Sequence, residues 1–140
     1  MKQKPGRLLY ATFYNIDVCR KHPSALFIYG DNLVHVGTGG TACIRREPNS
    51  LGVPTKKVPA MHDLAYFTDD DFQQVSHHID RAFGKAREQL EAGGDVVLPA
   101  GGLGTGRAGL AHRAPRIFAH ITDHVTVLRK IASSVYALAA

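Results

Sequence analysis

Two short stretches of this sequence combine bare backbone with polar side chains in a way that suits an anion. The first is Gly30-Asp31-Asn32-Leu33-Val34-His35-Val36-Gly37-Thr38-Gly39-Gly40-Thr41. The second is Leu98-Pro99-Ala100-Gly101-Gly102-Leu103-Gly104-Thr105-Gly106-Arg107-Ala108-Gly109. Of the 14 glycines in the chain, four lie in the first window and five in the second. Glycine concentrated in this way marks surfaces that let another group approach the main chain closely. Freed N–H groups leading into a helix are natural phosphate donors. Asp31 and Asn32, at the mouth of the first window, are placed to bind sugar hydroxyls or orient water; alternatively, they serve only to cap the local turn. Arg107 in the second window and Lys56 between the two are the preferred phosphate-neutralising cations, chosen from a basic set that also holds Arg45, Arg46, Lys57, Arg113 and Arg116.

Two better-known phosphate sites are set aside. Gly104 to Gly109 reads as G-x-G-x-x-G, but the candidate strand after it, His124 to Leu128, is followed by Arg129 instead of an acid, and too little chain remains for a dinucleotide fold. Neither window contains the G-K-[ST] of a P-loop. His120 and His124 have the i, i+4 spacing of a metal pair, but Ile121 stands where a zincin has glutamate, and no third ligand is evident, so no metal is expected. Cys19 and Cys43 form neither a disulfide framework nor a CxxC pair, and neither is expected to be catalytic.

The elements that must hold these windows follow from hydrophobic pattern. Arg7 to Tyr14 suits a strand, as does the continuous apolar run Ala25 to Tyr29, which fits a strand covered on both faces. Thr41 to Arg46 suits a short helix, and Ser50 to Lys57 an extended segment that Pro54 excludes from the sheet centre. Val58 to Phe67 reads as a surface loop. Thr68-Asp69-Asp70-Asp71 begins a helix whose apolar stripe is Phe72, Val75, Ile79, Ala82, Phe83, Ala86 and Leu90. Gly93-Gly94 closes that helix, Asp95 to Pro99 is a further buried strand, and a last helix starts at Pro115. The stretch 133–140 is left unassigned. Alternating strands and helices give an α/β domain, in which ligands gather beyond the carboxyl ends of the strands.

With 140 residues, 44% of them hydrophobic, the chain makes one domain over 1–140 with an ordinary core. It has no apolar run approaching the ~20 residues of a membrane span, and no hydrophobic signal stretch follows its basic start. A cytoplasmic protein without membrane contact is the expectation. Seventeen Lys and Arg against twelve Asp and Glu give a net charge of +5, which favours an anionic partner.

Order and spacing of the windows, with Ile28 to Leu33, Gly37, Gly39-Gly40, Ala42, Ile44-Arg45, Pro48-Asn49, Gly52, Pro54 to Lys56 and Gly104 to Gly106, resemble a bacterial and phage branch of macro-like proteins. The resemblance covers Leu26 to Ala119. It implies a three-layer α/β/α fold with a mixed sheet and a cleft for ADP-ribose or a related nucleotide, with no cofactor. Under it, Gly30, Asn32, Gly37, Thr38, Gly39, Gly40, Lys56 and the run Gly101, Gly102, Leu103, Gly104, Thr105, Gly106 and Arg107 line the ligand site. Hydrolytic members carry acids near the glycine triplet; here Asp31 is the one acid placed to act on water, which would extend binding to cleavage of an ADP-ribosyl or phosphoester bond. The competing expectation is a basic nucleic-acid-binding or scaffold protein, disfavoured because no stretch interleaves aromatic and basic residues.

Overall fold

A computed structural model describes residues 3–138. Its strands are β1 (Leu8–Ala11), β2 (Leu26–Asn32), β3 (Ser50–Lys56), β4 (Val96–Pro99) and β5 (Val135–Ala137). Its helices are α1 (Ile16–Lys21), α2 (Phe72–Glu91), α3 (Leu110–Arg113) and α4 (Pro115–Ile131). The strands form one sheet in the order β3-β2-β4-β1-β5. Every pairing in it is parallel. The expected mixed sheet is therefore corrected. Each strand is joined to the next by a long connection, so the chain always returns to the same end of the sheet, and no hairpin reverses a strand.

The period-two alternation of the strands sorts two cores. Leu8, Ile28, Val53, Val96 and Leu98 pack with the α2 stripe and with Ile117, Ile121 and Leu128 of α4. Leu9, Ala11, Phe27, Tyr29 and Val97 face the other way, against Cys19 of α1 and Ala42 and Ile44. Three layers result, one thick and one thin. β4 is buried at all four residues, as expected of a strand between neighbours on both sides. β3, with Pro54 opposite Asp31, is an edge strand.

Local chemistry sets the element ends. The Asn15 side chain accepts the Val18 N–H at 2.8 Å and caps α1. Thr68 N–H donates to the Asp71 carboxylate at 2.9 Å ahead of α2, and Asp69 accepts the Arg116 N–H at 2.9 Å in the first turn of α4. The acidic run thus serves two helix starts.

Three local expectations change. Segment 58–67 is not a plain surface loop: Ala65, Tyr66 and Phe67 are buried, and Lys57 N–H donates back to the Ala65 carbonyl at 2.8 Å. The helix expected over 41–46 is a single 3-10 turn, Gly40–Ile44, too short to build a macrodipole. His124 to Leu128 is helix, continuous with the rest of α4. The unassigned tail supplies β5 on the far edge of β1; residues 139 and 140 lie outside the described residues.

Candidate functional site

Both glycine windows leave the carboxyl ends of neighbouring parallel strands, the first from β2 and the second from β4. These two strands pair at Leu26↔Val96 and Phe27↔Val97, whereas β2 and β3 pair as far as Asn32↔Lys56, with a register shift between Asp31 and Asn32. Beyond Phe27 the ladder between β2 and β4 stops. Tyr14 occupies the gap: its hydroxyl donates to the Ile28 carbonyl at 2.8 Å, with the Val97 carbonyl 3.1 Å away. One hydroxyl proton is thus shared between two carbonyls at the point where the ladder ends. Burial pushes the Tyr14 hydroxyl far above the usual phenol range, so it remains a neutral donor.

The first window is tied down by its own polar residues. Asp31 is 7% exposed, and its carboxylate is engaged by Arg45 Nη1, by His35 Nδ1 at 2.7 Å and by the Asn32 N–H at 2.7 Å. Arg45 also reaches the Gly37 carbonyl at 3.0 Å and the Val36 carbonyl at 3.3 Å. Asn32 donates to Val36 O at 2.7 Å and accepts Val34 N–H at 3.1 Å, so it closes its own turn. Gly52 on β3 is required here, because a Cβ would stand 2.6 Å from Asp31 Oδ2. Asp31 and Asn32 thus hold the loop in shape.

Further residues of the window and of the matched stretches add to this frame. Thr41 Oγ1 accepts the Gly30 N–H at 3.0 Å, and Thr55 Oγ1 donates to the Asp31 carbonyl at 3.2 Å. Asn49 Nδ2 lies 3.0 Å from the carbonyls of Cys19 and His22 and 3.1 Å from that of Ala25. Thr38, Gly39 and Gly40 are exposed, and a Cβ at Gly39 or Gly40 would meet nothing within 4 Å. These main-chain groups remain open to a visitor.

The second window is closed internally by Thr105 Oγ1, which donates to the Gly101 carbonyl at 2.7 Å. Gly101 and Gly106 face open space, whereas Gly104, at φ +70°, lies against Leu110. Leu103 is buried in the core beneath the loop. Together with Tyr10, Leu98, Gly102, Thr105 and Phe118 it borders a hollow of about 160 Å³ under α4. That is below the roughly 300 Å³ of a site enclosing a whole small ligand, so the hollow suits part of one.

Cations collect around Tyr66 at the end of β3. Lys56 Nζ sits 4.5 Å from the centre of the Tyr66 ring and donates to the Ala60 carbonyl at 2.6 Å. The Arg113 guanidinium lies 3.7 Å from the same ring. Burial, then the charges of Arg107 and Arg113, hold the Lys56 ammonium below the usual lysine value. The charge of Arg107, in the second window, is thus felt by Lys56 at the end of β3. Asp63 lies 3.7 Å from Arg113, with a side chain 97% exposed.

One group that the sequence reading missed is brought together elsewhere. Asp80 of α2 meets His120 and His124 of α4, with Oδ1 2.6 Å from each Nε2. The partner absent from sequence spacing comes from a different helix.

A family model matches residues 9–124, from β1 well into α4. The chain belongs to a family of unknown function, DUF7831. No curated protein matches the chain, and no solved structure does. The matched span contains both windows, the Asp31–Arg45 pair, the Lys56 cluster and the Asp80–histidine group; β5 lies beyond it. Among the described residues no helix is long and apolar enough to cross a membrane.

Proposed function

We propose that this chain binds a phosphorylated nucleotide, ADP-ribose or a related diphosphate, across the carboxyl edge of the sheet. The observation that carries the reading is the pairing of two glycine windows on adjacent strands that part company, beside Lys56, Arg107 and Arg113. Parallel sheets collect ligands where neighbouring strands diverge at their carboxyl ends. Open main chain at Gly39, Gly40, Gly101 and Gly106 would face the diphosphate, and the cations would offset its charge. An anion would also relieve the repulsion felt by Lys56.

The reading is recognition. The Asp31 carboxylate is already engaged by Arg45, His35 and the Asn32 N–H, which hold the loop in shape, and this favours binding over cleavage of an ADP-ribosyl bond.

Calorimetry with ADP-ribose, ADP and inorganic phosphate tests the proposal. One saturable site is expected, with ADP-ribose tightest and affinity falling as salt rises. Lys56→Met and Arg107→Met should each weaken it roughly ten- to a hundredfold, the worth of a charge-assisted hydrogen bond. No heat at millimolar nucleotide would overturn it, as would equal affinity for any oligonucleotide and indifference to the free nucleotide.

A further inference from the structure

The Asp80, His120 and His124 cluster lies on the α2–α4 seam and is used by nothing described so far. Its ligand atoms, one from each residue, all fall within 4.8 Å of one another. His120 and His124 stand one turn apart on α4, so both imidazoles leave the same helix face. Asp80 approaches from α2, and its Oδ1 is 2.6 Å from both Nε2 atoms.

The rings are held by aromatic neighbours. His124 stacks on Phe83, with centroids 4.7 Å apart and planes 2° from parallel. His120 meets Phe72 edge-on at 5.4 Å, and the two imidazoles are nearly perpendicular to each other. Phe72 and Phe83 belong to α2, so that helix supplies both the carboxylate and the packing that fixes the rings. Sites on rigid helices with packed rotamers are the well-positioned ones.

We propose that Asp80, His120 and His124 bind one divalent transition-metal ion, zinc being the natural occupant, and that the ion staples α2 to α4. Two imidazoles and one carboxylate form a common zinc donor set, with a fourth position left for water. Tetrahedral zinc with ligands at about 2.0–2.2 Å needs its donor atoms roughly 3.3 Å apart. Opening the present cluster to that spacing is within side-chain rotation. Each imidazole faces Asp80 through Nε2, and a ring proton carried on Nδ1 leaves that nitrogen's lone pair for the ion. The seam matters for the rest of the fold, because Phe118, Ile121, Thr122 and Val125 of the same α4 segment border the hollow beneath the second window.

The test uses the full chain without an affinity tag, stripped with EDTA and titrated with zinc chloride in a non-coordinating buffer. One equivalent should bind with micromolar or tighter affinity and raise the thermal midpoint, and EDTA should reverse the rise. His120→Ala, His124→Ala and Asp80→Asn should each weaken binding at least roughly tenfold, since ligands matter no less than their outer-shell partners. The cluster is partly exposed, and circular dichroism of the metal-free variants separates loss of a ligand from loss of fold. His77→Ala/His78→Ala, a histidine pair outside the cluster, should bind zinc as the parent does. The proposal is overturned if zinc does not bind below 1 mM (a limit of about −4.1 kcal/mol), or if folded His120→Ala and His124→Ala variants bind it unchanged.

Discussion

The guanidinium of Arg45 is hydrogen-bonded to the carboxylate of Asp31 where neither sees much water, their side chains being 13% and 5% exposed. Arg45 follows the 3-10 turn and Asp31 ends the core of β2, so this contact closes the whole first window into a ring. Removing one partner of a buried pair leaves the other uncompensated, which costs more than the pair itself contributes. Arg45→Ala should therefore lower stability by about 3 kcal/mol, read as a reduced urea midpoint at unchanged m-value. Hydrogen exchange should quicken through residues 33–40. Arg45→Lys should restore only part of the loss, since an ammonium cannot reach Asp31 and the Gly37 and Val36 carbonyls together. Full stability in Arg45→Ala would show that the ring is held by other contacts.

Tyr14 supports the neighbouring gap. Tyr14→Phe keeps the edge-to-face contact with Phe27, whose ring lies 5.8 Å away, and removes only the hydroxyl. The carbonyls of Ile28 and Val97 then lose their donor at the point where β2 and β4 separate. A loss of about 1–3 kcal/mol is expected, in the range for a buried acceptor left unpaired. Thermal unfolding of the variant measures it; a change below about 0.5 kcal/mol would mean that water takes over the role.

Much of this frame was legible in the sequence, for a common reason: burial on both faces writes itself as a continuous apolar run, and burial on one helix face as a 3.6-residue stripe. Ala25 to Tyr29, Val96 to Leu98 and the α2 stripe are of that kind. What could not be read depends on how elements meet. Strand direction is set by the route of each connection, so nothing within β4 distinguishes a parallel sheet from a mixed one. Tyr66 and Phe67 look like any aromatic loop residues until the chain folds back over the end of β3. Asp80 is the sharpest case. It lies between Ile79 and Phe83 at the border of the stripe, a position from which an acid can face a neighbouring helix, but which helix only the packing decides. Asp31 and Asn32 stand out in the sequence, but their partners do not: Asp31 is held by His35 within the window and by Arg45 beyond the 3-10 turn.

The amino-terminal end of the sheet offers a pH-dependent contact. Arg7 Nε donates to both carboxylate oxygens of Asp95 at 3.1 Å, and the Arg7 backbone N–H adds a bond at 2.8 Å. The Arg7 side-chain hydrogen bond leads in holding Asp95 below the usual carboxylate range; its backbone N–H and charge add to this against the opposing effect of burial. A depressed acid contributes stability that is fully present above its unfolded value of about 3.9 and is lost as pH falls through the lower folded value. Asp95→Asn should thus be less stable at pH 7 and should lose less on acidification, so the two stability curves converge as pH falls below the ordinary carboxylate range. Because the Arg7 side chain is 45% exposed, the difference at pH 7 should stay near ~1 kcal/mol or below. Curves that remain parallel on acidification would place the acid sensitivity elsewhere.

The cysteines give a prediction from burial alone. Cys19 is 1% exposed, and burial, then the charges of Glu47 and Cys43, push its thiol up to about 11. Cys43 is more accessible, but burial raises its thiol as well, and its Sγ–H donates to the Tyr14 carbonyl at 3.1 Å. The thiolate is the nucleophile, so both should be poor ones at neutral pH. Iodoacetamide at pH 8 should leave Cys19 unlabelled in the folded chain and label it fully in urea, with Cys43 reacting slowly in between. Mass spectrometry resolves the two sites. Because Cys43 and Tyr14 share a contact, Tyr14→Phe should speed labelling of Cys43 if the loosened gap spreads to the Gly40–Ile44 turn, and leave it unchanged if the damage is confined to the strand ends. Rapid labelling of Cys19 in the parent would contradict the packing of α1 against the sheet.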